Sequence, residues 1–162
     1  MTEKISKNLR NYLKLESLLS EFFTAADYCI NECISKEKGK TSQPKGIGCC
    51  NGNFYLSGSE HIRELEKERI SIYGFPDMED KQEECRYHSE KGCMLKTHKS
   101  PLCITFSCDG LKKYLKEQGI DYNWISMQYE IMQTLAGKAA PITISKLEDN
   151  IKQYIDRLKR NN

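Results

Sequence analysis

Eight cysteines carry the chemistry available to this chain: Cys29, Cys33, Cys49, Cys50, Cys85, Cys93, Cys103 and Cys108. Six of them fall between residues 49 and 108, and neither end of the chain contains one. Sulfur in this density organises a fold either through disulfides or through metal thiolates. All-sulfur coordination suits Zn2+ or an iron–sulfur cluster.

Cys29 and Cys33 stand at i and i+4 within a predicted helix, so both thiols lie on one face and can reach one metal centre. The alternative is that both are small apolar residues of a buried stripe. Cys49 and Cys50 are adjacent and can serve one site only if the backbone turns sharply. Gly46, Gly48 and Gly52 permit such turns and leave backbone N–H groups able to point at sulfur. Cys85, Cys93, Cys103 and Cys108 are separated by seven, nine and four residues, which is not the paired C-x2-C spacing of a zinc ribbon or finger.

The accompanying residues resemble a known family. An early cluster ends in the pair Cys49-Cys50, and Leu56-Ser57-Gly58-Ser59-Glu60 leads into a predicted helix. The later block runs Cys85, Gly92-Cys93, Pro101, Cys103, Phe106, Cys108. This order is similar to the zinc- or iron-chelating CxxCxxCC (YkgJ-like) group, whose cysteine pattern is shared with flagellin lysine N-methylase. The similarity covers residues 29 to about 110 and implies a metal or iron–sulfur site on all eight cysteines. Cys29 and Cys33 depart from the pattern, with three residues between them and fifteen more before Cys49. The chain shows no glycine-rich strand–helix unit for S-adenosylmethionine, so the methylation activity is not carried over.

Length and charge narrow the setting. At 162 residues the chain can bury an apolar core without covalent staples, whereas dense disulfides are mostly a device of shorter chains. The start, Met1-Thr2-Glu3-Lys4-Ile5, leads into no uninterrupted apolar run, so no secretory signal is expected. No stretch reaches the length of a membrane span. A cytoplasmic location is therefore expected, where thiols stay reduced and cysteines point to metal. The net charge of +2, from 25 basic and 23 acidic side chains, gives no electrostatic reason to propose nucleic acid or an anionic membrane as partner. A protein partner is left open.

Among the remaining polar residues, His88 and His98 lie inside the cysteine block and could replace a thiolate. Eight thiols already suffice for two four-ligand sites, so both are expected to be exposed loop residues, and His61 a surface residue. Tyr28, Phe54, Tyr55, Tyr73, Tyr87 and Phe106 lie near the cysteines in sequence, placed either to shield a site or to form ordinary core. Arg63, Glu64, Glu66, Lys67, Glu68 and Arg69 alternate in sign and are expected to form a solvated helix face.

Helices must position these groups. Ile5, Leu9, Leu13, Leu18, Phe22, Ala25, Cys29 and Cys33 predict a first helix within residues 1–38. Ser57 or Ser59 caps a second through about Tyr73, with Ile62, Leu65 and Ile70 as its apolar stripe. Residues 77–107 show no clean period. A loop of that length needs something to hold it, and its cysteines are the candidates. Asp109 is expected to cap a helix closed by Gly119, and Asp121 to open another with Trp124, Ile125, Met127, Ile131, Met132 and Leu135 on its faces. Pro141 breaks the chain before a last helix beginning at Thr143 or Ser145. The expectation is an all-α single domain over residues 1–162: about five helices around an irregular cysteine-rich metal-binding centre at 29–110.

Function is expected to be that of a metal-binding protein with a structural, electron-transfer or sensing role. The wide spacings and the glycine-rich Cys49-Cys50 turn favour an iron–sulfur cluster, of 4Fe–4S type, with Zn2+ as the alternative. The other readings are a metal- or cluster-dependent enzyme with an open coordination position, its catalytic residues unknown, and a disulfide-stabilised protein of an oxidising compartment.

Overall fold

The computed structural model describes residues 5–28, 62–74, 85, 87–89 and 92–161. The fold is all-α. Among these residues it comprises α1 (Lys7–Ala26), α2 (Arg63–Tyr73), α3 (Pro101–Thr105), α4 (Asp109–Glu117), α5 (Trp124–Leu135) and α6 (Pro141–Asn161). A minimal antiparallel ladder pairs β1 (His88–Ser89) with β2 (Gly92–Cys93), in the register His88 to Cys93 and Ser89 to Gly92.

Helix α1 is the central element, lying along α6 and also against α5 and α3. Its sequence places Leu9, Tyr12, Leu15, Leu19 and Phe22 at three- and four-residue steps, and all five are fully buried. Each such side chain contributes about 1.5–3 kcal/mol of apolar burial. The stripe is centred on Leu15 and Leu19, whereas the expected Leu13 and Leu18 are only half-buried. Leu147, Ile151, Ile155 and Leu158 form the opposing buried face of α6, as their spacing predicts. Met127, Ile131 and Leu135 of α5, with Leu111 and Leu115 of α4, complete the same core. Ile125, expected on a face of α5, is among the exposed apolar residues.

The helix ends show the local chemistry. Ser6 caps α1 by accepting from the Leu9 N–H at 3.0 Å. Glu64 of α2 secures that cap, accepting from the Ser6 N–H at 2.7 Å and from its hydroxyl at 2.6 Å. The first helix is interrupted within the described residues, Tyr28 being helical again beyond the break, and the expected stretch from 29 to 38 lies outside them. Helix α1 ends at Ala26, where Asp27 adopts the left-handed region (φ 53) and donates its N–H to the Phe23 and Thr24 carbonyls. Cys29, Cys33, Cys49, Cys50, Ser57, Ser59 and His61 lie outside the described residues.

Three further expectations are corrected. Asn123, not Asp121, caps α5, its carboxamide oxygen accepting from Ile125 and Ser126. Pro141 does not break the chain ahead of the last helix; it is the first residue of α6, where its missing N–H costs nothing. The cap of α4 is Cys108 rather than Asp109. Gly119 does close α4: its φ of +73 lets Ile120 donate to the Leu115 carbonyl at 2.8 Å and Gly119 to Lys116 at 2.9 Å.

Candidate functional site

The described part of the cysteine-rich segment is fixed through its backbone. It is held by four side chains from α1 and α2 that grip the backbone of residues 96–99. The Glu16 carboxylate accepts from the His98 N–H at 2.9 Å with one oxygen and from the Lys99 N–H at 2.9 Å with the other. The Tyr12 hydroxyl donates to the Lys99 carbonyl at 2.5 Å. The Arg69 Nε donates to the His98 carbonyl at 2.5 Å. The Tyr73 hydroxyl accepts from the Lys96 N–H at 3.1 Å and the Thr97 N–H at 2.9 Å, and lies 3.1 Å from the Thr97 hydroxyl. His98 is at φ 62, a conformation in which its N–H and carbonyl reach Glu16 and Arg69 respectively.

This clamp is buried and charged. Glu16 is 1% exposed and Arg69 2% exposed. Burial raises the Glu16 carboxyl above its ordinary range, while the His98 and Lys99 N–H groups and the charges of Lys99 and Arg69 oppose that rise. Burial, then the nearby Glu16, lifts the Tyr12 phenol well above its usual value, which keeps it a donor. Partial burial acts to raise Tyr73, but its hydrogen bonds from Thr97 and Lys96 outweigh this and lower it. The solvated face expected for residues 63–69 is therefore wrong at Arg69, which turns inward, while Ile70 of the expected apolar stripe is exposed. His98 is likewise buried rather than an exposed loop residue; burial lowers its imidazolium, with Arg69 adding and Glu68 opposing.

None of the four described cysteines forms a disulfide. Cys85 is buried with Tyr87 and Leu95 in a small cluster against which Tyr73 and Cys93 pack. Tyr87 is thus part of a small core, and Tyr73 packs at its edge. Cys93 is on β2, and the next residue, Met94, donates to the Tyr87 carbonyl at 2.7 Å. Cys103 is on α3, whose Pro101 stands behind the Ser100 cap; the Cys103 N–H donates to the Ser100 hydroxyl at 3.3 Å. Cys103 keeps an open side, yet the protein crowded around it pushes its thiol up. Hydrogen bonding to Ser100 opposes this, and the charge of Cys93 adds to it.

Cys108 stands apart, as the cap of α4. Its sulfur accepts from the Leu111 N–H at 3.5 Å. Two residues on, Gly110 lies under the Tyr28 ring, which also packs on Tyr114 with centroids 5.4 Å apart; a Cβ at Gly110 would collide with the Tyr28 hydroxyl. Tyr28 is the residue before Cys29 in the chain. The Ser107 hydroxyl is buried with no hydrogen-bond partner among the described residues. Phe106 is at the surface and packs edge-on against Trp124, centroids 5.2 Å apart.

Among the described residues, no three His, Cys, Asp or Glu side chains are grouped so as to hold a metal ion. His88 pairs with Cys93 through its backbone. Reasoning from sequence missed Glu16, Tyr12, Arg69 and Tyr73 as the residues that fix the segment. The one signal available was the charge of Glu16 inside the apolar stripe of α1. Against known proteins, the chain matches no family model, no curated protein and no solved structure.

Proposed function

We propose that this chain is a metal-thiolate protein whose cysteine-rich segment carries an iron–sulfur cluster, with zinc as the alternative occupant. The observation that carries the reading is the pairing of an immobilised backbone with cysteines that form no disulfide. Residues 96–99 are bolted to two helices, and Cys93 and Cys103 flank the bolted stretch along the chain.

The donors fit such a group on three counts. They are all sulfur, the ligand type preferred by iron–sulfur clusters and structural zinc. Cys108 already accepts a backbone N–H, the interaction that commonly orients a metal-bound thiolate. Tyr73, Tyr87 and Leu95 supply the apolar cover that limits water at the Cys85 and Cys93 end. Among the described residues Cys85, Cys93, Cys103 and Cys108 are not drawn into one cluster, so on this reading they would share the group with Cys29, Cys33, Cys49 and Cys50, the further ligands that the YkgJ-like resemblance implies. When bound, an iron–sulfur cluster supplies one-electron chemistry and zinc a closed structural cross-link.

Anaerobic purification followed by iron, sulfide and zinc analysis and a visible spectrum tests this. A broad visible absorption with stoichiometric iron and sulfide identifies a cluster, and a colourless protein with stoichiometric zinc identifies a zinc site. Neither metal at stoichiometric level sinks the proposal.

A further inference from the structure

We propose that Glu16 and Arg69 are positioning residues: they lock residues 96–99 onto α1 and α2, so that Cys93 and Cys103 are presented as a preformed pair before any metal binds. The inference rests on the metal-thiolate reading and says how two of its ligands are placed.

The geometry argues for it in three steps. First, the lock is made wholly by protein groups. Glu16 takes two successive N–H groups, Arg69 and Tyr12 take the His98 and Lys99 carbonyls, and Tyr73 takes the two N–H groups before them. None of these bonds needs a metal, in contrast to small zinc domains whose ligand-bearing loops fold only when the ion arrives.

Second, the connections from the lock to both sulfurs are short and themselves structured. Cys93 lies three residues before Lys96 and is held in the β1–β2 ladder, with Met94 bonded to Tyr87. Cys103 lies four residues after Lys99, inside α3 and behind its Ser100 cap. Fixing residues 96–99 therefore fixes the span between the two thiols.

Third, burying a charged side chain is a poor source of stability, because desolvation consumes most of what its hydrogen bonds return. It is a good source of backbone register. The two oxygens of Glu16 match two consecutive N–H groups, a pattern that an apolar side chain cannot impose.

The test uses full-length protein stripped of metal by chelator under reducing conditions. Hydrogen exchange is read at the His98 and Lys99 amides, and a short two-thiol cross-linker, mapped by peptide, reports the Cys93–Cys103 pair. Metal-free wild type should protect both amides and yield that cross-link. Glu16→Gln should speed exchange at both amides by about tenfold or more, as expected for loss of a charge-assisted buried bond, and reduce the cross-link by a similar factor, with Ile151 and Ile155 in α6 unchanged. Unprotected amides in metal-free wild type, or a variant with unaltered exchange and cross-linking, would overturn the proposal.

Should Glu16→Gln fail to fold, Tyr73→Phe removes only the outer hydroxyl. It should speed exchange at Lys96 and Thr97 and lower the cross-link several-fold, and an unaltered cross-link overturns the assignment. A protein that shows the protection but takes up neither iron nor zinc sinks the metal reading alone, so the two failures are distinguishable.

Discussion

The helical frame and the cysteine-bearing segment are held by opposite means. In the frame, α1, α5 and α6 bury apolar stripes against one another, and the ion pairs joining α1 to α6, Lys14–Glu148 and Glu21–Lys159, are partly exposed. In the segment from Cys85 to Cys108, the apolar content is small, and Glu16, Arg69, Tyr12 and Tyr73 reach across to bind backbone directly. Apolar burial is strong but non-directional, so it suits a frame. Hydrogen bonds to named backbone groups are weaker in net terms but directional, so they suit a stretch whose side chains must stand in one arrangement.

Substitutions that strike only one side break or sharpen this contrast. The largest effect is expected in the frame. Phe22, fully buried and in ring contact with Phe23, Tyr122 and Tyr154, should cost about 3–5 kcal/mol on change to Ala, read by denaturant unfolding as one cooperative loss. Arg69→Met should cost about 1–3 kcal/mol, because it leaves the His98 carbonyl without its buried donor. That loss should appear first as local opening of residues 96–99 in hydrogen exchange, ahead of α6. Equal opening in both regions would show that the two are not held separately.

Gly110→Ala should cost about 1–3 kcal/mol, since the new Cβ collides with the Tyr28 hydroxyl where α4 meets the chain leading to Cys29. A thermal midpoint within experimental error of wild type would show that Tyr28 moves aside freely.

The smallest effect is a pH slope. Burial and Arg69 place the folded-state His98 value below the unfolded value of about 6.5, against the opposing Glu68. Within that window the unfolded chain binds more protons, so stability rises with pH. The contribution is fully present above about 6.5 and is lost as pH falls through the folded value. His98→Asn tolerates the left-handed φ of 62 and should remove this part of the slope in unfolding experiments across the window.

The difference between the regions also decides what the sequence discloses. Leu147, Ile151, Ile155 and Leu158 announce α6 because one residue type recurs at one period, and Gly119 marks the end of α4 because only a left-handed residue closes it so. Leu15 and Leu19 could be misphased because α1 is apolar on more than one side, facing α6, α5 and α3 together. The clamp leaves no periodic trace. Glu16 and His98 are 82 residues apart, and Arg69 and His98 are 29 apart, so only the fold brings them together. Arg69 sits among alternating charges and was legible there only as a solvated residue. Cys108 was counted for its sulfur, and its role as a helix cap follows from a backbone turn that no spacing encodes. Helix α3 was hidden for a related reason: five residues are too few to show a period, although Ser100-Pro101 is a helix-start signal.

The central claim is that this rigidly held segment exists to present thiolates to a metal. It is tested most directly by metal content per chain in anaerobically prepared wild type and Cys93→Ser, with helicity measured alongside. The account predicts stoichiometric iron and sulfide, or zinc, in wild type and its loss in Cys93→Ser with the helical signal retained. A wild type without either metal, or a Cys93→Ser variant with undiminished content, would contradict it.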